Sequence, residues 1–297
     1  MKFSKTITLL TLLIAITTVA ATTAGLFWQA AGDPFTFTTL HDQTVQIYGR
    51  GLYRFDTLFF AAGYRGQDIV ALVLGLPLLI FALLLFRRGS LSGHLLLVGT
   101  LGYFLYLYVS MALGAAYNSL FLLYIALFSA SLFAFVLAFS TVDLQQLRGR
   151  ALPRRSLAAF MVAGGVITIL VWGLPLVSAL LEGRPPERLD SYTTMVTYAL
   201  DLAVITPATF ICAYLALKHE PLGYVIGAPL LTLIVLLAPQ IALSTYFQRA
   251  AGVPFTTAEM VGPVGGFIIL GLLAAWLFVA VLRSMHENKK AISETAG

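Results

Sequence analysis

Asp201 is the side chain with the most distinctive chemistry in this sequence, because it is the only acidic residue inside the predicted apolar segments. It stands six residues after Met195, about 9 Å along a helix that begins there. A charged group at that depth costs roughly 2.5–3.5 kcal/mol on insertion scales, so it is expected to face helices or a wet cavity. A proton or cation site is one interpretation of Asp201, and a structural hydrogen bond between helices is the other.

Other polar residues fall at a similar predicted depth and share helical faces in the third, sixth and seventh apolar segments. Together with Asp201 they form the predicted binding site for an ion or a small solute: Tyr198, Thr197, Gln240, Ser244 and Tyr106. Tyrosines are also common in helix packing and at membrane interfaces, so packing is the alternative role of the tyrosine-bearing faces.

Residues 48–70, YGRGLYRFDTLFFAAGYRGQDIV, carry five charges just before a strongly apolar segment. If residues 52–62 are helical, their apolar side chains gather on one arc, which predicts a short helix lying flat in the membrane interface. The charged residues then either form the local ion pairs of an anchor or belong to an outer gate. The candidates for that gate or rim are Arg54, Asp56, Arg65, Asp68 and Glu259.

Sequence signatures of common cofactor and metal sites are absent. The chain contains no Walker loop, GxGxxG, GxSxG, HExxH or CxxC motif. Its four histidines lie in predicted loops or at helix ends, so paired haem ligands within the membrane are not expected. The single Cys212 excludes a disulfide within one copy of the chain. We therefore expect no cofactor and no metal.

Composition predicts an integral membrane protein. Apolar residues make up 59% of the 297 residues and charged residues only 10%, with a mean hydropathy of +0.91. Soluble domains carry about 25% charged residues, whereas lipid can cover a surface this apolar. Runs of about 20 apolar residues predict an all-α bundle of eight transmembrane helices in a single domain. Their predicted bounds are about 7–28, 69–86, 94–115, 119–141, 157–181, 195–217, 222–246 and 261–282.

The charge distribution predicts the orientation of this bundle. Twelve of the eighteen Lys and Arg residues fall in the terminal and connecting segments on the side of the N-terminus. The positive-inside rule then places both termini in the cytoplasm and the protein in the plasma membrane. Residues 29–68 become an extracytoplasmic loop that contains the interfacial helix. Because membrane topology accounts for the net charge of +5, we expect no nucleic-acid partner.

The first apolar segment has two interpretations. Lys2 and Lys5 before an apolar run are also typical of a cleaved signal peptide. The run continues to Trp28, which suits an interfacial anchor and favours a retained helix. Cleavage would instead leave seven spans with the N-terminus outside.

Three functions are compatible with these features. The favoured one is a transporter or channel for a small solute or ion, with an outward-facing polar cavity around Asp201. The second is a non-catalytic sensor or accessory subunit whose helices pack against a membrane partner or a second copy. The third is an enzyme acting on a lipid or quinone, in which Arg54, Asp56, Asp68 and Glu259 converge as acid–base and headgroup-binding groups. Enzymatic activity is the less favoured interpretation.

Overall fold

A computed structural model describes residues 3–28, 30–150 and 152–295, with side chains except at 258–261, 263 and 286–295. Within these residues the fold is all-helical apart from one small hairpin, and eight helices are long and apolar enough to cross a membrane. The predicted all-α class and multi-pass architecture are thereby supported. The helices are α1 Ser4–Phe27, α2 Leu58–Arg87, α3 Leu91–Gly114, α4 Phe121–Ser140, α5 Arg154–Leu181, α6 Val196–Leu217, α7 Leu222–Ala250 and α8 Thr257–Thr295.

The centre of the bundle is formed by α3 and α7. Of the apolar window of α3, 78% is buried within the protein, compared with 22% for α5, which lies at the periphery. Helix α3 packs against α2, α4 and α7, and α7 packs against α2, α6 and α8. Small residues permit the close approach, since a Cβ on Gly99 would lie only 2.2 Å from the Thr232 hydroxyl of α7.

The two ends of the bundle differ in their connections. At one end, here called the hairpin end, the segments 28–57, 115–120, 182–195 and 251–256 meet. The Ala116 amide donates to Asp56 at 2.8 Å, which joins two of these segments, and the Phe255 ring of a third lies with its centroid 6.4 Å from that of Phe59 at the start of α2. The opposite end carries the basic connections, where Arg150 donates to the Met285 carbonyl at 2.6 Å.

The hairpin end takes its name from a β-hairpin, which consists of strands β1 Phe35–Thr38 and β2 Thr44–Ile47. The strands pair antiparallel, with Phe35 opposite Ile47 and Thr38 opposite Thr44. Asp42 in the connecting turn has a φ of 56°, a conformation that Asn and Asp tolerate better than most residues. This hairpin was not among the predicted elements.

The prediction of a separate interfacial helix over residues 52–62 is wrong. Residues 51–56 form turns, and the helix that begins at Leu58 runs without interruption through the second span to Arg87, instead of a span starting near 69. Leu52 and Tyr53 are buried in the bundle instead of lying on a membrane surface. Arg65 and Asp68 placed this stretch outside the predicted span, but both side chains have partners in the fold, since Arg65 lies over the Phe247 ring and Asp68 accepts from the Tyr53 hydroxyl.

Three spans contain a π-helical segment just before a proline. These segments are Ala71–Gly75 in α2, Ile169–Gly173 in α5 and Asp201–Ile205 in α6. In each case the proline, Pro77, Pro175 or Pro207, comes two residues after the segment ends. Proline has no N–H and its ring crowds the preceding turn, so the helix widens there, and such bulges are frequent at functional sites.

Candidate functional site

A cavity of about 360 Å³ lies at the hairpin end, where six helices and one connection converge. Its volume falls in the range of small-molecule sites. Aromatic rings dominate the lining, so the cavity is less polar than predicted. Its main lining residues are Phe59, Phe60, Tyr64 and Gln67 of α2, Tyr106 of α3, Trp172 of α5, Arg188 and Tyr192 of the 182–195 connection, Thr197, Tyr198 and Asp201 of α6, and Gln240 of α7.

Asp201 is half-buried and faces this cavity. The Tyr106 hydroxyl donates to its Oδ1 at 2.9 Å. Asp201 is also the first residue of the π-helical segment in α6, so the widened turn that Pro207 induces is the turn that presents the carboxylate. The Trp172 side chain also interacts with this carboxylate as a hydrogen-bond donor. A half-buried carboxylate has several lone pairs, so it can still accept a proton or a cationic group from the cavity.

The aromatic wall beside Asp201 is built by two neighbouring helices. The Trp172 and Tyr198 rings have centroids 4.3 Å apart, and both residues line the cavity. Trp172 lies in the π-helical segment of α5, which contacts the corresponding segment of α6. Aromatic faces attract cations, so this wall and the Asp201 carboxylate favour the same type of ligand.

A chain of polar side chains leads from the cavity wall into the bundle. Gln240 donates through Nε2 to Gln67 Oε1 at 3.2 Å and accepts from the Tyr103 hydroxyl at 3.3 Å. Gln67 in turn donates to Met111 Sδ at 3.0 Å. Gln67 was not among the predicted binding residues, because the predicted second span began at about residue 69.

The predicted binding residues divide into two groups. Asp201, Tyr198, Thr197, Gln240 and Tyr106 all line the cavity. Ser244 is not among the lining residues, since its hydroxyl donates to the Gly63 carbonyl at 2.7 Å and joins α7 to α2. A Cβ on Gly66 would come within 2.3 Å of the Ser244 nitrogen, so Ser244 belongs to a tight helix contact.

Asp56, a predicted rim residue, is buried in a hydrogen-bonded junction of three segments. Its Oδ1 accepts from the Ala116 amide and from the Tyr192 hydroxyl, both at 2.8 Å. The adjacent Thr57 hydroxyl donates to Asp190 at 3.1 Å. Burial raises the pKa of Asp56 to about 7, although the hydrogen bonds from Ala116 and Tyr192 act in the opposite direction.

The remaining rim candidates do not converge with Asp56. Asp68 is buried and accepts from the Tyr53 hydroxyl at 2.7 Å. Arg54 is exposed and lies over the Phe55 ring at 4.6 Å, and Arg65 lies over Phe247 at 5.0 Å. The Glu259 side chain lies outside the described residues. Arg54, Asp56 and Asp68 therefore occupy separate surroundings, and the structure does not assemble them into one acid–base centre.

Arg188 is a cavity residue that the sequence analysis missed. It lies in the 182–195 connection, and its guanidinium is 4.5 Å from the centroid of the Phe59 ring. The cavity therefore has a carboxylate on α6 and a guanidinium on its connection wall. Local sequence gave no signal for this residue, because an arginine in a polar connection is ordinarily solvated.

The described residues contain no group of three or more His, Cys, Asp or Glu side chains placed to hold a metal ion. Comparisons of the chain with protein-family models, curated proteins and solved structures found no match.

Proposed function

We propose that the protein is a membrane carrier for a small solute that bears an ammonium group, with the hairpin end facing outward. The observation that supports this proposal best is the position of Asp201 in a 360 Å³ cavity. Placing a carboxylate inside a membrane span costs free energy. Because this carboxylate faces a cavity of ligand size, we infer that it is there to bind a ligand.

The cavity chemistry supports this ligand class. The ammonium group is expected to bind the Asp201 carboxylate, which the Tyr106 hydroxyl contacts at Oδ1 and which the Trp172 indole also approaches. The Trp172 and Tyr198 rings favour a cation beside the carboxylate. Arg188 would repel a simple cation but is complementary to an acidic group at the other end of the solute. A zwitterion of amino-acid type satisfies both charges and is the preferred substrate class.

Proton coupling is the mechanism we assign to this site. A protonated, neutral Asp201 can donate to the protein and no longer attracts the ammonium group, whereas the ionised form binds it. The two protonation states therefore favour different conformations of the cavity. The widened turns of α5 and α6, which contact each other beside Asp201, are the elements expected to move.

Flux into vesicles tests the proposal. Purified protein is reconstituted in liposomes that contain a pH-sensitive dye, and amino acids of different side chains, choline and ethanolamine are added outside. We expect at least one zwitterionic amine to produce protein-dependent proton flux that Asp201→Asn abolishes. The matched control is Asp143→Asn, which alters an exposed acid at the basic end.

Two outcomes would contradict the proposal in different ways. Proton flux that persists unchanged in Asp201→Asn would remove Asp201 from the mechanism. Binding of an amine without flux would instead support the second function, a membrane sensor or accessory subunit that uses the same cavity.

A further inference from the structure

A second cavity, of about 370 Å³, lies at the hairpin end between the end of α1, the turn at residues 48–53 and α2. Arg50 and Arg65 both line it, and the same two arginines line an adjoining cavity of about 80 Å³. Within the described part of the chain, no acidic side chain lines either cavity. We call this pair of spaces the arginine cavity.

Neither arginine forms an ion pair with another described residue. Their guanidinium groups lie over aromatic rings, Arg50 over Tyr48 at 5.1 Å and Arg65 over Phe247 at 5.0 Å. Asp68, which interacts electrostatically with Arg65, is buried behind Tyr53, and Tyr53 lines the cavity and donates its hydroxyl to that carboxylate. The positive charge in the arginine cavity is therefore only partly offset by the protein.

The turn that carries Arg50 is held by backbone hydrogen bonds. The amides of Tyr48 and Gly49 donate to the carbonyls of Asp56 and Arg54, and the Gly51 amide donates to Ala30. Gly49 and Gly51 have φ values of 76° and 66°, which glycine adopts without steric cost. The guanidinium of Arg50 is thus presented from a closed turn.

The surroundings of the arginine cavity match the headgroup region of a membrane. Trp28, which follows α1, lines the cavity and is about half exposed, and Phe27 is more exposed still. Aromatic side chains at the end of a span are typical of the level of the lipid headgroups. Arg65 lies only seven residues into α2, close enough to the same level for its long side chain to reach it.

We propose that the arginine cavity binds an anionic phosphate group, supplied either by a phospholipid headgroup or by a free phosphate. Two arginines that line one space repel each other, and an anion between them converts that repulsion into two charge-assisted contacts. The planar guanidinium matches the oxygens of phosphate in bidentate geometry. This site is separate from the Asp201 cavity and does not depend on the proposed carrier function.

Thermal unfolding of the purified protein in detergent tests the proposal, with short-chain phosphatidylglycerol, phosphatidylcholine and inorganic phosphate as three separate probes. Phosphatidylglycerol is expected to raise the unfolding temperature of the wild type, and phosphatidylcholine is expected to raise it less. Each arginine removed is expected to weaken the apparent affinity by about tenfold. The variants are Arg50→Gln and Arg50→Gln/Arg65→Gln.

Arg54→Gln is the matched control, because Arg54 belongs to the same turn and also lies over an aromatic ring, yet does not line the cavity. Arg50 is exposed, so Arg50→Gln remains informative if the double variant fails to fold. Stabilisation by phosphatidylglycerol alone identifies a lipid headgroup, and stabilisation by inorganic phosphate as well identifies a free phosphate. Equal responses of the wild type and both cavity variants, or equal stabilisation by phosphatidylcholine, would overturn the proposal.

Discussion

Asp56 and Asp201 are both carboxylates at the hairpin end, but their surroundings differ. Asp56 is 1% exposed and has two donors on one oxygen, the Ala116 amide and the Tyr192 hydroxyl. Asp201 is half-buried, has the Tyr106 hydroxyl as a donor, and faces a cavity. A carboxylate enclosed by protein donors joins segments of the fold, whereas one that faces a cavity remains available to a ligand.

The largest expected effect is a loss of transport on replacing Asp201, which would distinguish its role from that of Asp56. Asp201→Asn is expected to reduce amine-driven flux at least about a hundredfold, because a neutral amide neither binds an ammonium ion nor exchanges a proton. Its unfolding temperature should stay within a few degrees of the wild type. A large loss of stability together with the loss of flux would make Asp201 structural, like Asp56.

Asp56→Ala is expected to show the opposite pattern, with stability lost. It leaves the Ala116 amide and the Tyr192 hydroxyl without their acceptor, which costs on the order of 3 kcal/mol. Chemical unfolding in detergent measures this loss. Thr57→Val is the control, since it removes a neighbouring hydrogen bond, that of Thr57 to Asp190, without affecting the Asp56 acceptor. Its smaller effect should be about 1 kcal/mol.

The stability of the wild type should depend on pH through Asp56. Its pKa is raised to about 7 in the folded protein, so folding favours the protonated form. This contribution is complete below the ordinary pKa near 4 and is lost as pH rises through about 7.

Thermal unfolding between pH 4 and 8 should therefore show falling stability in the wild type and a flatter profile in Asp56→Asn. Burial also raises the pKa of Asp190, so some slope in the same direction should remain. A wild-type stability that rises across this range would contradict the assignment.

Gly25→Ala tests the third carboxylate, Asp68. A Cβ at this position of α1 would lie only 2.0 Å from Asp68 Oδ2 and 2.5 Å from the Tyr53 hydroxyl. The side chains must shift, at an expected cost of about 1–3 kcal/mol in unfolding free energy. Gly164→Ala in α5 is a suitable control, because nothing lies within 4 Å of its added Cβ.

The smallest expected effect concerns selectivity within the Asp201 cavity. Arg188→Gln should weaken transport of a zwitterion by about tenfold through the loss of a charge-assisted contact, while transport of a simple amine such as ethanolamine stays equal or improves. Competition between the two substrates in vesicles measures the ratio. An equal decrease for both would show that Arg188 does not contact the acidic group.

Prediction from sequence succeeded where the relevant signal is local. Hydropathy located eight apolar helices. Five of the six predicted binding residues line one cavity, with Ser244 instead in a helix contact, and their binding of a ligand stays a prediction. Prediction failed at the start of α2, where charges near Gly66 suggested a loop. The tight contact of Gly66 with Ser244, together with the Tyr53–Asp68 hydrogen bond, makes that stretch part of a buried helix.

The sequence by itself therefore determined the helical class, the number of apolar helices and the position of Asp201 within one of them, because hydrophobicity and helical periodicity are properties of neighbouring residues. Only the tertiary structure decided that Trp172, Arg188 and Gln67 share a cavity with Asp201 and that Asp56 does not. The physical reason is that the cost of burying a polar group depends on its partners. Those partners come from distant parts of the chain, as Tyr192 does for Asp56.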